Sequence, residues 1–365
     1  MKLLVCGIKA QGVEAVQLAG FRMHRRALRR LGISWSRVDC PTAGDVRKAV
    51  LDSDADVAML MLDWNQPVRQ AADELAPLRE QTHGRVRLVL LDHYAQTSTP
   101  MFDLLPLVDR YAKRQVLRDV ELYRTEMHGG YIFTDYLSRV CNLDLDGWHF
   151  GSILPQDQQH KLVHAWNLAV QPTYHRLLRL NRLWPKPWHK RRFDVNARLG
   201  LANATRPREW YEQYRAMARQ AATRLGEHCS ITPNERVGRR KYFLELRDSR
   251  IVFSPFGWGE ICYRDHEAVV SGALLLKPDM SHLRTSPDIF SAHQTYVPVK
   301  WDLSDLQQQV DHYLSHPEQA KAIARAAQDQ LWNYFQQQRF IDDLQRVIGG
   351  NASAPADEQA ATASQ

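Results

Sequence analysis

The chain has 365 residues, 44% of them hydrophobic and 24% charged, and carries a net charge of +7. That length exceeds one ordinary hydrophobic core and suits two, the composition excludes a disordered chain, and no run of about 18 apolar residues offers a membrane span. Five scattered cysteines without a CxxC spacing supply neither a disulfide framework nor a zinc site, and the opening MKLLVCGIKAQG reads as a first strand, so a cytoplasmic protein is expected.

Residues 2–8 (KLLVCGI) predict a strand, followed by a basic helical stretch over 13–31. A second strand is expected at 34–39, a short helix at 46–51, and a buried strand at 55–62 (ADVAMLML) that ends in Asp63. A helical segment over 68–80 leads into strand 86–91 (VRLVLL), which ends in Asp92 and His93. Strands alternating with helices imply a parallel sheet covered on both faces, with functional residues beyond the carboxyl ends of its strands. Asp63, Asp92 and His93 occupy that position. The stretch 7–12 (GIKAQG) lacks the Lys-Ser/Thr of a phosphate-binding loop and lacks GxGxxG, so it reads as a strand-to-helix turn. Asp144 and Asp146 form a loop pair of acids, and no metal site is expected.

Residues 171–192 (QPTYHRLLRLNRLWPKPWHKRR) are dense in Pro, Trp and basic side chains and mark a domain boundary. A second alternating series follows: a strand at 192–201, a helix at 207–225, a short strand at 229–232, a helix at 239–246, strand 250–254 (RIVFS), a helix at 265–271 and strand 273–277 (ALLLK). The end is helical, with Ser304–Gln307 and Ser315–Glu318 spaced as capping boxes. From Gly349 onward, GGNASAPADEQAATASQ has no aromatic or large aliphatic residue and is expected to be disordered. The expected organisation is therefore two Rossmann-like α/β domains, 1–175 and 176–348, with a tail at 349–365.

Charge is unevenly spread. Residues 176–250 hold 19 Lys/Arg against 7 Asp/Glu, while the remainder is net acidic. Such a patch favours an anionic partner: the phosphates of a small donor, the acidic surface of a membrane, or nucleic acid. Trp184, Trp188 and Trp210 lie among those charges and suit stacking on bases or a membrane interface.

The most informative segment is 250–284, RIVFSPFGWGEICYRDHEAVVSGALLLKPDMSHLR. An apolar strand ends at Ser254-Pro255, a loop carrying Gly257 and Gly259 leads into a helix that carries Glu267, and Gly272 closes that helix before the next strand. Glycines let a ligand approach the main chain, and free N–H groups at a helix start attract anions. A carboxylate one or two turns into the helix can accept hydrogen bonds from ribose or sugar hydroxyls.

This succession, with the dipeptide Glu267-Ala268 and the turn at SGALLL, resembles the donor-binding half of GT-B glycosyltransferases, particularly exostosin-like and group-1 members. The resemblance covers about residues 190–345 and takes in the pair of end helices. It implies two Rossmann-like domains facing a central cleft, a nucleotide-sugar as substrate, no cofactor and no bound metal. The two glutamates of many such enzymes have seven residues between them; Glu260 and Glu267 have six. By resemblance, Glu267 holds the donor ribose, Glu260 and the backbone of Gly257 and Gly259 face donor sugar or phosphate, and Arg264 is a diphosphate ligand, since a guanidinium pairs bidentately with phosphate. Arg198, Arg240, Lys241 and Asp279 complete the expected donor set. Asp92 and His93 are the candidates for activating an acceptor hydroxyl on a glycan or lipid-linked molecule, and contact with the inner face of an anionic membrane fits the basic patch. The competing readings are a non-catalytic protein on the same fold that binds nucleic acid or acidic lipid, with nucleic acid the less favoured partner, and another chemistry on that fold such as sugar-nucleotide epimerisation.

Overall fold

The computed structural model describes residues 1–9, 12–200 and 209–349. Two parallel sheets organise it. The first contains β1 (Lys2–Gly7), β2 (Ser34–Asp39), β3 (Val57–Met61), β4 (Arg87–Asp92), β5 (Arg110–Lys113) and, after the short β6 (Gln115–Leu117), β7 (Leu162–His164). Its order is β2-β1-β3-β4-β5-β7 with every pair parallel. β3 is buried at every position, as a continuous apolar run between two helical layers requires. Chain direction across the sheet reverses beside β1 and β3, the crevice where doubly wound sheets bind ligands.

The second sheet is built from β8 (Phe193–Asn196), β9 (Ser249–Phe253), β10 (Leu274–Pro278) and, after β11 (Leu283–Thr285), β12 (Val297–Val299), in the order β12-β10-β9-β8 and again parallel. The helix Pro172–Leu183 connects the halves. The alternation of strand and helix was thus readable in order, and the two strands 250–254 and 273–277 are neighbours in one sheet.

Several local expectations were not met. The helical stretch over 13–31 is three short helices, Gly12–Gln17, Ala19–Met23 and Arg25–Arg30; Phe21 of the second and the following His24 pack on Phe340 from the far end of the chain. Gly20 makes room for that ring: a Cβ there would sit 2.2 Å from it. Neither capping box forms. Ser304 lies in a turn closed by Asp302, and the next helix opens at Pro317, which needs no N–H partner. The strand at 229–232 is reduced to a single bridge between Ile231 and Val195. The exit of the strand at 192–201 runs into residues outside the described ones, as do part of the GIKAQG turn and the tail from 350.

Three devices join the halves. First, β6 from the first half pairs antiparallel with β11 from the second, and Arg118 N–H continues the ladder to the carbonyl of His282 at 2.8 Å. Second, the last helix, Phe340–Ile348, returns to pack on β4, β5 and β7, with Phe340 wedged against Phe21, His24 and Trp166. Third, the loop after β9 abuts the loop after β4. Gly259 lies so close that a Cβ would fall 1.8 Å from the Ala95 carbonyl oxygen, and the adjacent Glu260 accepts hydrogen bonds from the backbone N–H and hydroxyl of Thr97.

Neither loop glycine has a positive φ, so the glycine at 259 is there for close approach rather than for an unusual backbone angle. Gly259→Ala is expected to cost about 1–3 kcal/mol, the range for forcing atoms into a packed contact. Gly257→Ala, whose nearest neighbour would be the Cys262 sulfur at 3.4 Å, should stay within about 0.5 kcal/mol of wild type. Chemical denaturation of both variants checks the pair.

Candidate functional site

The joint at Gly259 and Glu260 sets the carboxyl ends of β1 and β4 opposite those of β8 and β9. The helix Tyr263–Ser271 follows the β9 loop. Its N-cap residue, Cys262, gives its backbone N–H to Asp265 at 2.7 Å, and Gly272 ends it in the left-handed conformation. Asp265 also accepts from Ser254 Oγ at 2.6 Å and lies 3.0 Å from Lys277 Nζ, both side chains being fully buried. Lys277 sits 5.1 Å above the Phe256 ring as well. This buried pair fixes the helix start against the end of β10.

On that helix Glu267 is largely buried, and its two carboxyl oxygens accept from different tyrosines: Oε2 from Tyr242 Oη at 2.8 Å and Oε1 from Tyr174 Oη at 3.3 Å. Burial pushes the Glu267 carboxyl above its ordinary 4.5, opposed by the Tyr242 hydrogen bond and by Arg264. A raised folded value means that ionised Glu267 is costly in the free protein: its contribution to stability falls as pH rises from 4.5 through the raised value. Each oxygen retains a lone pair for a hydroxyl donor. Arg264 donates from Nη2 to the Arg198 carbonyl at 2.7 Å, and its Nε is buried without a partner.

Across from this helix stand Glu14, His93 and Arg114 of the first half. Arg114 is almost fully buried and donates to the carbonyls of His93 and Tyr94, at 3.0 and 2.5 Å, while its charge acts on the Tyr263 phenol. His93 stacks on Tyr94, and its Nε2 lies 3.9 Å from Glu14 with no hydrogen-bond partner. Burial pushes the imidazole below its ordinary 6.5, and Asp92 and Glu14 only partly offset this. It is therefore a neutral base at neutral pH, whose acid limb lies below 6.5.

The sequence-derived residues separate into two groups. Arg264 and Glu267 share the helix Tyr263–Ser271, and His93 follows β4 on the other half. Others are engaged elsewhere. Asp92 is buried and bound by Lys113 Nζ at 2.5 Å, Tyr111 Oη at 2.8 Å and the Tyr94 N–H at 2.7 Å. Burial raises its carboxyl, but Lys113 and these hydrogen bonds outweigh burial and hold it below 3.8. It has no free face for an acceptor. Arg198 forms a buried bidentate pair with Glu245, at 2.5 and 2.9 Å, instead of awaiting phosphate. Glu260 is fully buried in the joint rather than facing a donor, with His282 3.9 Å away. Asp279 accepts from Tyr296 Oη at 3.0 Å and from Ser281, closing its own turn. Arg240 and Lys241 are exposed on the helix Arg239–Arg247, with Lys241 4.0 Å from Glu245. Gly257 lines the β9 loop.

Sequence reasoning passed over Tyr174, Tyr242, Glu14 and Arg114, and the Asp265–Lys277 pair. Lys277 had left a trace: a single charge ending the apolar run ALLL. The tyrosines left none, because their meeting on Glu267 depends on three helices. Among the described residues no group of three or more His, Cys, Asp or Glu is placed to hold a metal, and no helix is long and apolar enough to cross a membrane. A cavity of about 1040 Å³ lies away from Glu267, between Arg118, Arg284 and Arg346, and is lined by none of the expected residues.

A family model described as glycosyl transferase-like matches residues 182–346. No curated protein matches the chain. Among solved structures, the chain is similar to a UDP-forming α,α-trehalose-phosphate synthase from Burkholderia vietnamiensis, at 10% identity and a TM-score of 0.50, over 95% of this chain and 99% of that one. It is similar also to the corresponding synthase from Burkholderia xenovorans in complex with glucose-6-phosphate (11%, TM-score 0.49, 95% and 100%). An α-glucosyltransferase in complex with UDP is a further likeness (10%, TM-score 0.48, 93% and 99%). The fold is the two-domain α/β arrangement of GT-B glycosyltransferases. The family model covers the second half of it, the half that carries Glu267.

Asp92→Asn leaves the Lys113 charge buried and uncompensated and should cost about 3–5 kcal/mol of stability, read from urea unfolding. His93→Ala removes a ring whose Nε2 has no partner and should cost clearly less.

Proposed function

We propose that the chain moves a sugar from a nucleotide-sugar donor, held by residues 176–348, to a hydroxyl on a glycan or lipid-linked acceptor held by residues 1–175. The observation that carries this reading is Glu267: a largely buried carboxyl, inside the segment matched by the glycosyl transferase-like family model, already accepting from two hydroxyls, on the helix whose first residue, Tyr263, lies in the field of Arg114 and Glu14 from the other half. Two vicinal ribose hydroxyls offer the same kind of donors as Tyr242 and Tyr174.

In this reaction the acceptor oxygen forms a bond to the anomeric carbon as the bond from that carbon to the diphosphate breaks. His93 Nε2 takes the acceptor proton, which its neutral state permits. Charge gathering on the departing nucleoside diphosphate is met by Arg264 and by the N–H groups at the start of helix Tyr263–Ser271. Glu14, 3.9 Å from the same Nε2, stabilises the ring once it is protonated. The uridine nucleotide named for the similar synthases makes UDP the first donor nucleotide to test.

Glu267→Ala is expected to weaken UDP binding by about 1.5–3 kcal/mol, roughly 10- to 150-fold, with Glu267→Gln losing less. Because the charged carboxylate is the stronger acceptor, wild-type affinity should fall as pH drops through the raised Glu267 value, and Glu267→Gln should flatten that dependence. Calorimetric titration across pH checks both; wild-type affinity in Glu267→Ala removes the reading. Turnover, followed as UDP release from UDP-sugars, should fall in His93→Ala with UDP affinity nearly intact. Tight UDP binding without release from any sugar nucleotide would favour the non-catalytic alternative.

A further inference from the structure

A second surface feature stands apart from the junction. The helices Pro172–Leu183 and Arg239–Arg247 lie on either side of helix Tyr263–Ser271 and leave a groove of about 740 Å³ between them. Its apolar lining is unusually open: Leu180 is 44% exposed, Leu244 55% and Trp184 62%, and Leu183 beside them is 57% exposed. Scattered single apolar residues on a surface are ordinary; four large ones gathered on one face are not. Arg176, Arg239, Arg240 and Arg247 rim the same groove. Among the described residues no acidic side chain lines it, and none of these four arginines forms a salt bridge with a carboxylate.

We propose that this groove is where the protein seats on an anionic lipid surface. The chemistry selects that partner. Leucine and tryptophan side chains enter the headgroup–acyl boundary, and arginines around them meet lipid phosphates. A nucleic acid would use the arginines but leave the three leucines exposed, and would find a single open indole on which to stack a base. An acidic protein would satisfy the charge but would not need tryptophan and leucine standing beyond the surface. The arrangement is present whatever the donor site does, so this inference does not depend on the transfer reading.

The experiment is co-sedimentation of the full chain with phosphatidylcholine vesicles, with and without phosphatidylglycerol. Binding is expected only to the vesicles containing phosphatidylglycerol, and should weaken as salt is raised. Each arginine near such a surface is worth about fivefold in partitioning, so Arg176→Glu should lower binding at least about fivefold. Leu180→Ser combined with Trp184→Ser should lower it about tenfold or more at unchanged charge. These positions are exposed, and circular dichroism confirms that the variants fold. UDP titration of the same variants bears on the donor site alone. The proposal is overturned if wild type ignores anionic vesicles, if it binds neutral ones equally, or if the serine variant binds like wild type. It is overturned equally if sedimentation velocity shows the groove closed by a second copy that the serine variant releases, or if duplex RNA displaces the chain from vesicles.

Discussion

Everything at the junction depends on the backbone-to-backbone approach of Gly259 to Ala95. Two parallel sheets have no intrinsic reason to face one another at a particular angle, since neither presents an open edge to the other. Here the loop leaving β9 runs directly against the loop leaving β4, and the absent side chain at 259 allows main chain to touch main chain. Glu260 then locks the approach through Thr97, at the cost of burying a carboxylate whose hydrogen bonds must all come from protein. This contact, together with the β6–β11 ladder and the returning last helix, sets the separation between a cleft residue on one half and its partner on the other.

Buried charge is handled by pairing, and the pairs define what can move. Asp92 with Lys113, Arg198 with Glu245, and Asp265 with Lys277 each sit at or just beyond a strand's carboxyl end. Taking two ions out of water is repaid only by close geometry and additional hydrogen bonds; Asp92 and Arg198 have both, and in the third pair Asp265 has them while Lys277 Nζ has no hydrogen-bond partner. Their role is to hold loops: Lys113 and Tyr111 hold the turn that presents His93, and Asp265 holds the start of the helix that presents Glu267. The groups left with unspent capacity, His93 Nε2 and Arg264 Nε, lie next to these braces. Charged residues at strand ends therefore divide into supports and available groups, and the division is made by partners distant in sequence.

That division explains what the sequence could and could not disclose. The alternation of apolar runs and amphipathic stretches determines which segments are strands, so the order of elements was legible from 2–8 through 273–277. The setting of Glu267 was legible because it is local: strand, glycine loop, then a helix that carries the carboxylate. Asp92 and Arg198 were misplaced by the same logic, because the Lys113 and Glu245 that neutralise them are 21 and 47 residues away. Gly259 was read as a concession to a ligand when it is a concession to Ala95. Nothing in 115–117 or 283–285 announced a two-stranded joint, since three-residue strands carry too few positions for alternation to show.

The helix Pro172–Leu183 draws the two proposed surfaces together. Its 3.6-residue period puts Tyr174 and Leu178 on the buried face, where the Tyr174 hydroxyl reaches Glu267, and leaves Arg176, Leu180 and Leu183 outward. The helix Arg239–Arg247 repeats the pattern: Tyr242 turns inward to the same carboxylate while Arg240 and Leu244 face the groove. Glu267 is thus held by the inner faces of the two helices whose outer faces form the basic, apolar groove. Each of the two helices therefore presents a tyrosine to the carboxylate on one face and an arginine and a leucine to the groove on the other, so packing against helix Tyr263–Ser271 places both sets at once.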